Sequence, residues 1–195
     1  MLASLHAAVH QARRHDDFYF AGLLKAQEIE TALGPTGALW HGWLYPPALT
    51  VWTFLSPCLS PDHSCREAVA RLLAWRVSRG QQAYSAQTGG YCLARDRLPE
   101  EVCKQLMSQT GQRIETEAPA AWLWHGRRVR VVDGSTVTLP DTPENQGEYP
   151  QPHTQKPGCG FPIARILVVF SLAVGTVVEA TIGQYKGKLT GENSV

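Results

Sequence analysis

The sequence has little of what would place it at once in a large class of proteins. No apolar run approaches the ~20 residues that span a bilayer; the longest, Ile166 to Val174, is short and broken by Ser171. No basic segment leads into an apolar run at the start, so no signal peptide is expected. The five cysteines, Cys58, Cys65, Cys92, Cys103 and Cys159, are odd in number and irregular in spacing. That argues against a disulfide framework and for a reducing compartment. Cys58, His63 and Cys65 lie close together, but no second Cys-x-x-Cys or His pair completes a tetrahedral zinc set, and these thiols read as core residues. G-x-S-x-G is absent, and no histidine is placed beside a candidate nucleophile, so hydrolase chemistry has no support. The expectation is a cytoplasmic protein with no membrane partner.

Charge of one sign is also scarce overall. The net charge is +1, which gives no global field for nucleic acid. Its distribution is uneven, however. Residues 66 to 97 hold Arg66, Arg71, Arg76, Arg79, Arg95 and Arg97 against Glu67 and Asp96, a local excess of four positive charges. Such a face can hold phosphates, or it can be an ordinary solvated helix face.

The 195 residues, 44% hydrophobic, allow one domain or two small ones. Residues 1 to 33 read as two helices, Leu2 to Arg14 and Ala21 to Leu33, split around Asp16 and Asp17, with Gly34-Pro35 and Gly37 as the stop. The aromatic run Trp40, Trp43 and Tyr45 leads to a helix with Pro47 at its first position, where a missing N–H costs nothing. Ala48, Val51, Trp52 and Leu55 form its apolar face up to Pro57. Ser64 to Glu67 fits a capping box, followed by Val69, Leu72, Leu73 and Arg76 at helical spacing and by a C-terminal Gly80. After a short polar turn, Ser85 caps a second helix through Leu98. Pro99, Glu100 and Glu101 start a third, with Val102, Cys103, Leu106, Met107, Thr110 and Ile114 as its stripe. Helix, short turn, helix over residues 64–98 has the outline of a helix-turn-helix DNA reader, an outline that many bundles share.

From Trp122 the periodicity changes from helical to alternating, placing a domain boundary near residues 118 to 126. Val129, Val131 and Val132 form a strand that carries Asp133 to its end, where Gly134 turns the backbone. A carboxylate at a strand end beside Gly134, Ser135 and Thr136 suits a hard cation such as Mg²⁺. Asp-Gly also starts ordinary hairpin turns. A loop rich in Pro, Gly, Gln and Asn follows, from Pro140 to Pro162. A hairpin then forms from Ile163 to Val174 and Thr176 to Ile182, turning at Gly175.

Four stretches carry a resemblance to a known family: SPDHSCREAVARLLAWR (residues 60 to 76), TGGYCLARDRLPEEV (88 to 102), VVDGSTVTLPDTPENQGEYPQP (131 to 152) and QKPGCGFPIARILVVFSLAVGTVVEATIGQYKGKLTGENS (155 to 194). Over essentially its whole length the chain resembles the N-terminal part of bacterial insertion-sequence transposases of the IS-four group. The resemblance implies an α+β chain: a helical DNA-binding region over residues 1–120, then a ribonuclease-H-like catalytic domain over 121–195, represented by its first three strands. It also implies DNA transposition by a DDE mechanism, in which two Asp and one Glu hold two Mg²⁺ ions for in-line attack on phosphorus. Asp133 sits where the family's first Asp sits and is both the catalytic and the metal-binding candidate. Arg66, Arg71, Arg76, Arg95 and Arg97 are the candidate DNA contacts. Double-stranded DNA at terminal inverted repeats is the implied partner, with self-association or pairing to a full-length transposase beside it, and a nucleoid location when bound.

The departure from the family concerns the other two carboxylates. They belong on a fourth strand after the helix that follows GENS and on a helix further along, and the sequence stops before both. Asp141 and Glu179 match neither position and read as turn and solvent-face residues. The expectation is a fragment that neither cuts nor joins DNA alone, with a sheet edge and an apolar face exposed. Two further readings stand beside it: a non-catalytic DNA-binding fragment that recognises transposon ends, and a decayed remnant.

Overall fold

The computed structural model describes residue 18, residues 20–36, residue 40, residues 44–152, residue 156 and residues 158–185. The helix expected over Leu2 to Arg14, the residues Asp16, Asp17, Gly37 and Trp43, and the GENS segment lie outside the described residues. Six α-helices and three strands occur among those described, a mixed α+β chain with one antiparallel sheet. The chain divides into two compact units, Met1–Leu106 and Met107–Val195.

The first unit is helical. Helix α1 (Ala26–Leu33) begins later than Ala21, because residues 20–24 form a turn in which Phe20 takes a φ of 67°. Helix α2 (Pro47–Leu55) starts on Pro47 as expected and runs into a 3-10 turn, Ser56–Leu59. Its buried hydroxyls are satisfied locally: Thr50 and Thr53 donate to the carbonyls of Pro46 and Leu49 at 3.0 and 2.6 Å, and Ser56 donates to Thr53 at 2.9 Å. Unpaired, such groups would each cost about 1–3 kcal/mol. The Trp52 indole donates to the Leu24 carbonyl at 2.9 Å, tying α2 to the turn before α1.

Helix α3 (Cys65–Ser78) has the cap its sequence signals: the Glu67 N–H donates to Ser64 Oγ at 3.2 Å. The reciprocal half of the capping box is replaced. The Ser64 N–H donates to Asp62 at 2.8 Å, and the Glu67 carboxylate turns along the helix to Arg71, also at 2.8 Å. At the other end Gly80, with φ of 71°, donates to the Val77 carbonyl, and Gln81 reaches back to Arg76. This paired closure is favoured by glycine because it needs a left-handed residue.

The second helix of the outline is shorter than Ser85 to Leu98. Helix α4 covers only Gly89–Arg95, and residues 81–87 are without helix or strand. The Ser85 hydroxyl accepts from the Gln87 N–H, a local turn rather than a helix cap. The first two residues of α4 are Gly89 and Gly90, each costing about 1 kcal/mol in a helix, and Thr88 before them makes no side-chain cap, so the start of α4 is weakly held. Helix α5 (Glu100–Thr116) follows, with Pro99 just before its first residue. Two apolar clusters fill the unit. Tyr45, Leu49, Val69, Leu72 and Tyr91 belong to one; Ile29, Leu33, Val51, Val102 and Leu106 belong to the other.

The division between units falls within α5, ahead of the composition change at Trp122. The reason is that the second half of α5 packs on the sheet. Gly111 passes so close to β3 that a Cβ there would run into the Val177 backbone, and Ser108 Oγ donates to the Val178 carbonyl at 2.8 Å. The sheet has the order β1-β2-β3, built from β1 (Arg130–Thr138), β2 (Ile163–Ser171) and β3 (Val177–Gln184). A register shift lies between Val169 and Phe170. Gly175, with φ of 66°, serves the β2–β3 turn as expected. The Pro140 to Pro162 connection is not all loop: α6 (Pro143–Glu148) forms within it, capped by Thr142, whose hydroxyl accepts from the Asn145 N–H at 3.2 Å.

Candidate functional site

Asp133 is not at a strand end, and Gly134 does not turn the chain. Both lie within β1, with Asp133 opposite Val168 and Gly134 opposite Leu167. The turn reading of Asp-Gly fails because an antiparallel partner continues past both residues. Asp133 is exposed, and one of its carboxylate oxygens accepts the Gly134 N–H at 2.9 Å. The other oxygen points from an extended strand whose alternation puts Val131 and Ser135 on the same face.

Register decides which acids can join it. Asp133, Val168 and Ala180 form one row across the sheet, whereas Val132, Val169 and Glu179 form the next. Adjacent rows face opposite ways, so Glu179 and Asp133 are on opposite faces. Arg130 belongs to Glu179's face, and α5 meets that face at its Arg130 end through Glu115. Asp141 lies beyond β1 and accepts from Gln146 Nε2 at 2.7 Å. Among the described residues, no three His, Cys, Asp or Glu side chains cluster as a metal-holding group. The oxygen chemistry of Asp133 fits a hard cation as one ligand, and Mg²⁺ is commonly held by one or two carboxylates plus substrate phosphate. Here Asp133 provides a single carboxylate.

The five candidate DNA-contacting arginines separate. Arg71 is only 9% exposed and is ion-paired to Glu67 at 2.8 Å, so it belongs to the helix packing and not to a surface offered to DNA. Arg76 donates to the Tyr84 hydroxyl at 3.2 Å and lies over that ring at 4.5 Å, which fixes the extended segment after α3. Arg95 on α4 reaches Cys65 Sγ at 3.4 Å, linking α4 to the start of α3. Arg66 and Arg97 are exposed. Three of the five are therefore engaged within the helical unit, by an ion pair inside α3, by Tyr84 and by Cys65, a use that composition does not distinguish from phosphate binding.

Two features of the second unit are not among the expectations drawn from the sequence. One is the ion pair of Glu115 with Arg130, whose guanidinium binds both carboxylate oxygens at 3.2 and 2.7 Å. The other is a tight hairpin, Trp124 to Arg127, whose central His125 and Gly126 both have positive φ. A His-Gly pair between two residues that bridge was the available clue. No family model, curated protein or solved structure matches the chain.

Proposed function

We propose that the chain works in metal-dependent DNA transposition, with Asp133 as the first metal-binding carboxylate and the helical unit as a DNA-binding region. The observation that carries this reading is the exposed Asp133 inside the first strand of a β1-β2-β3 antiparallel sheet. A first strand bearing the acid, a long connection and a hairpin are what the sequence resemblance to IS-four transposases implies for a ribonuclease-H-like domain. The fold reading rests on that agreement.

In this reading Mg²⁺, when bound, supplies the positive charge that offsets the anionic phosphodiester and lowers the pKa of an attacking water or 3′-hydroxyl. The chain's own contribution is to fix one carboxylate on a rigid strand. The Gly134 N–H holds one oxygen, and the Val168 pairing sets the strand's position. Further carboxylates complete the site, since Glu179 faces away and Asp141 is engaged with Gln146.

Manganese titration followed by NMR tests the metal assignment. Mn²⁺ should broaden amide signals of Asp133, Gly134 and Val168 first, and Asp133→Asn should abolish that selectivity while leaving the sheet signals in place. Broadening that ignores Asp133, or survives the substitution, rejects Asp133 as a ligand.

A further inference from the structure

The segment before β1 is an aromatic and basic hairpin that the metal reading does not use. A 3-10 turn, Ala120–Trp122, follows Pro119, and the chain then doubles back over Trp124, His125, Gly126 and Arg127. Trp124 and Arg127 exchange both backbone hydrogen bonds, at 3.1 and 2.9 Å. Positive φ at both central residues, 48° at His125 and 74° at Gly126, is the mark of a two-residue primed hairpin turn. The tip is therefore backbone-locked.

This tip and the 3-10 turn before it display side chains that chains normally bury. Trp122 is 60% exposed and Trp124 58% exposed. The His125 ring stands edge-on to the Trp124 indole, with centroids 4.7 Å apart, so Trp124 is held without being covered. Arg127 and Arg128 follow directly and are exposed, and Arg128 ties the hairpin base to the Thr116 carbonyl at the end of α5 at 3.4 Å. From Trp122 to Val132 there are three arginines and no acid.

We infer that this hairpin is a stacking platform for unpaired nucleobases, with Trp122 and Trp124 taking base faces and Arg127 and Arg128 taking the adjoining phosphates. Aromatic faces stack on any base that is not already stacked, and arginines supply the matching charge. A duplex keeps its bases inside, so the platform selects single strands, frayed ends or splayed nucleotides. Rigidity favours this ligand, because ordering exposed indoles on binding would otherwise weaken the complex. An anionic membrane is the less suitable partner, since two indoles on a turn give no continuous apolar face to insert. The inference does not depend on Asp133 holding a metal.

The test uses the whole chain in EDTA, which removes any metal bound at Asp133. Fluorescein-labelled oligothymidylate is titrated by anisotropy beside a duplex of the same length and vesicles containing phosphatidylserine. Wild type should prefer the single strand. Trp122→Ala with Trp124→Ala should weaken that binding about tenfold or more, and Phe at both positions should restore most of it. Arg127→Ala should shallow the salt dependence by about 0.7 in log–log slope. Circular dichroism and the thermal transition should match wild type in all variants, because the substituted side chains are exposed. Single-strand binding that is absent, or indifferent to the double alanine variant, overturns the inference. So does tryptophan-dependent binding to vesicles without binding to the oligonucleotide.

Discussion

Glu115 and Arg130, one on α5 and one on β1, form a two-pronged ion pair in which the carboxylate is buried and the guanidinium half-exposed. The Arg130 hydrogen bonds hold the Glu115 carboxyl below its usual range against the opposing effect of burial, with Ser171 and Arg128 adding smaller contributions in the same direction. A depressed carboxyl pKa stabilises the fold above the unfolded value of about 4.3, and that stability is lost as pH falls through the lower folded value. Arg130→Met removes the largest of these contributions and leaves burial opposed only by Ser171 and Arg128, which raises the carboxyl pKa. The variant should lose about 1–3 kcal/mol at pH 7 and recover part of it on acidification toward pH 4.5, where wild type shows little change. Urea denaturation across pH 4–7 reads both effects. Parallel pH profiles for the two proteins would exclude the ion pair.

Gly111→Ala places two effects against each other. Helix propensity alone would favour alanine by about 1 kcal/mol. The Val177 backbone occupies the space a Cβ needs, and backbone does not swing aside as a side-chain tip does. Packing should win, with a loss of at least about 2 kcal/mol and faster hydrogen exchange along β3. A more stable protein would mean that α5 does not pack at Gly111.

At the ends of α3, Ser64→Ala should cost about 1 kcal/mol by freeing the Glu67 N–H. Gly80→Ala should cost about 1–2 kcal/mol through its left-handed conformation, whereas Gly80→Asn should cost less. Thermal unfolding of the three variants gives the order.

DNA binding, measured against duplexes carrying candidate terminal repeats, should distinguish the arginines. Arg66→Ala and Arg97→Ala should weaken binding and lower the salt slope by about 0.9 for each phosphate that is no longer neutralised. Glu67→Ala should act on stability instead, by about 1 kcal/mol, because it removes the 2.8 Å ion pair to the buried Arg71. If Arg66 and Arg97 are silent, the helical unit does not bind DNA through this surface.

How far the sequence could be read depended on the range of the interaction. The caps of α3 were legible because Ser64 and Gly80 act on backbone a few residues away. The capping box was half right because Asp62 and Glu67 both lie within reach of the Ser64 N–H, and which acid takes it is a competition that spacing does not decide. The helix expected over Ser85 to Leu98 shrank to Gly89–Arg95 where periodicity met a Gly-Gly pair. Asp133-Gly134 looked like a turn because the partners that keep it extended, Val168 and Leu167, are more than thirty residues away. For the site, the sequence could nominate Asp133 but not its face. Register alone put Glu179 on the other side. Likewise the arginines' charge was visible, while the aromatic, thiol and carboxylate groups that use it became visible only in the fold.

The connection between β1 and β2 is fastened by side-chain amides. Gln146 Nε2 reaches Asp141 and the Gly160 carbonyl; its oxygen accepts from the Gln151 N–H. Gln151 in turn holds Lys156 and Gly160, and Asn145 holds Pro140. Nearly all of these ties join neutral groups, so the loop should keep its shape across ionic strengths and pH values that would loosen a loop held by ion pairs. Its weakness is chemical ageing. Hydrolysis of the Gln146 amide would replace a donor by a negative oxygen facing the Asp141 carboxylate and the Gly160 carbonyl, opening the connection at its centre.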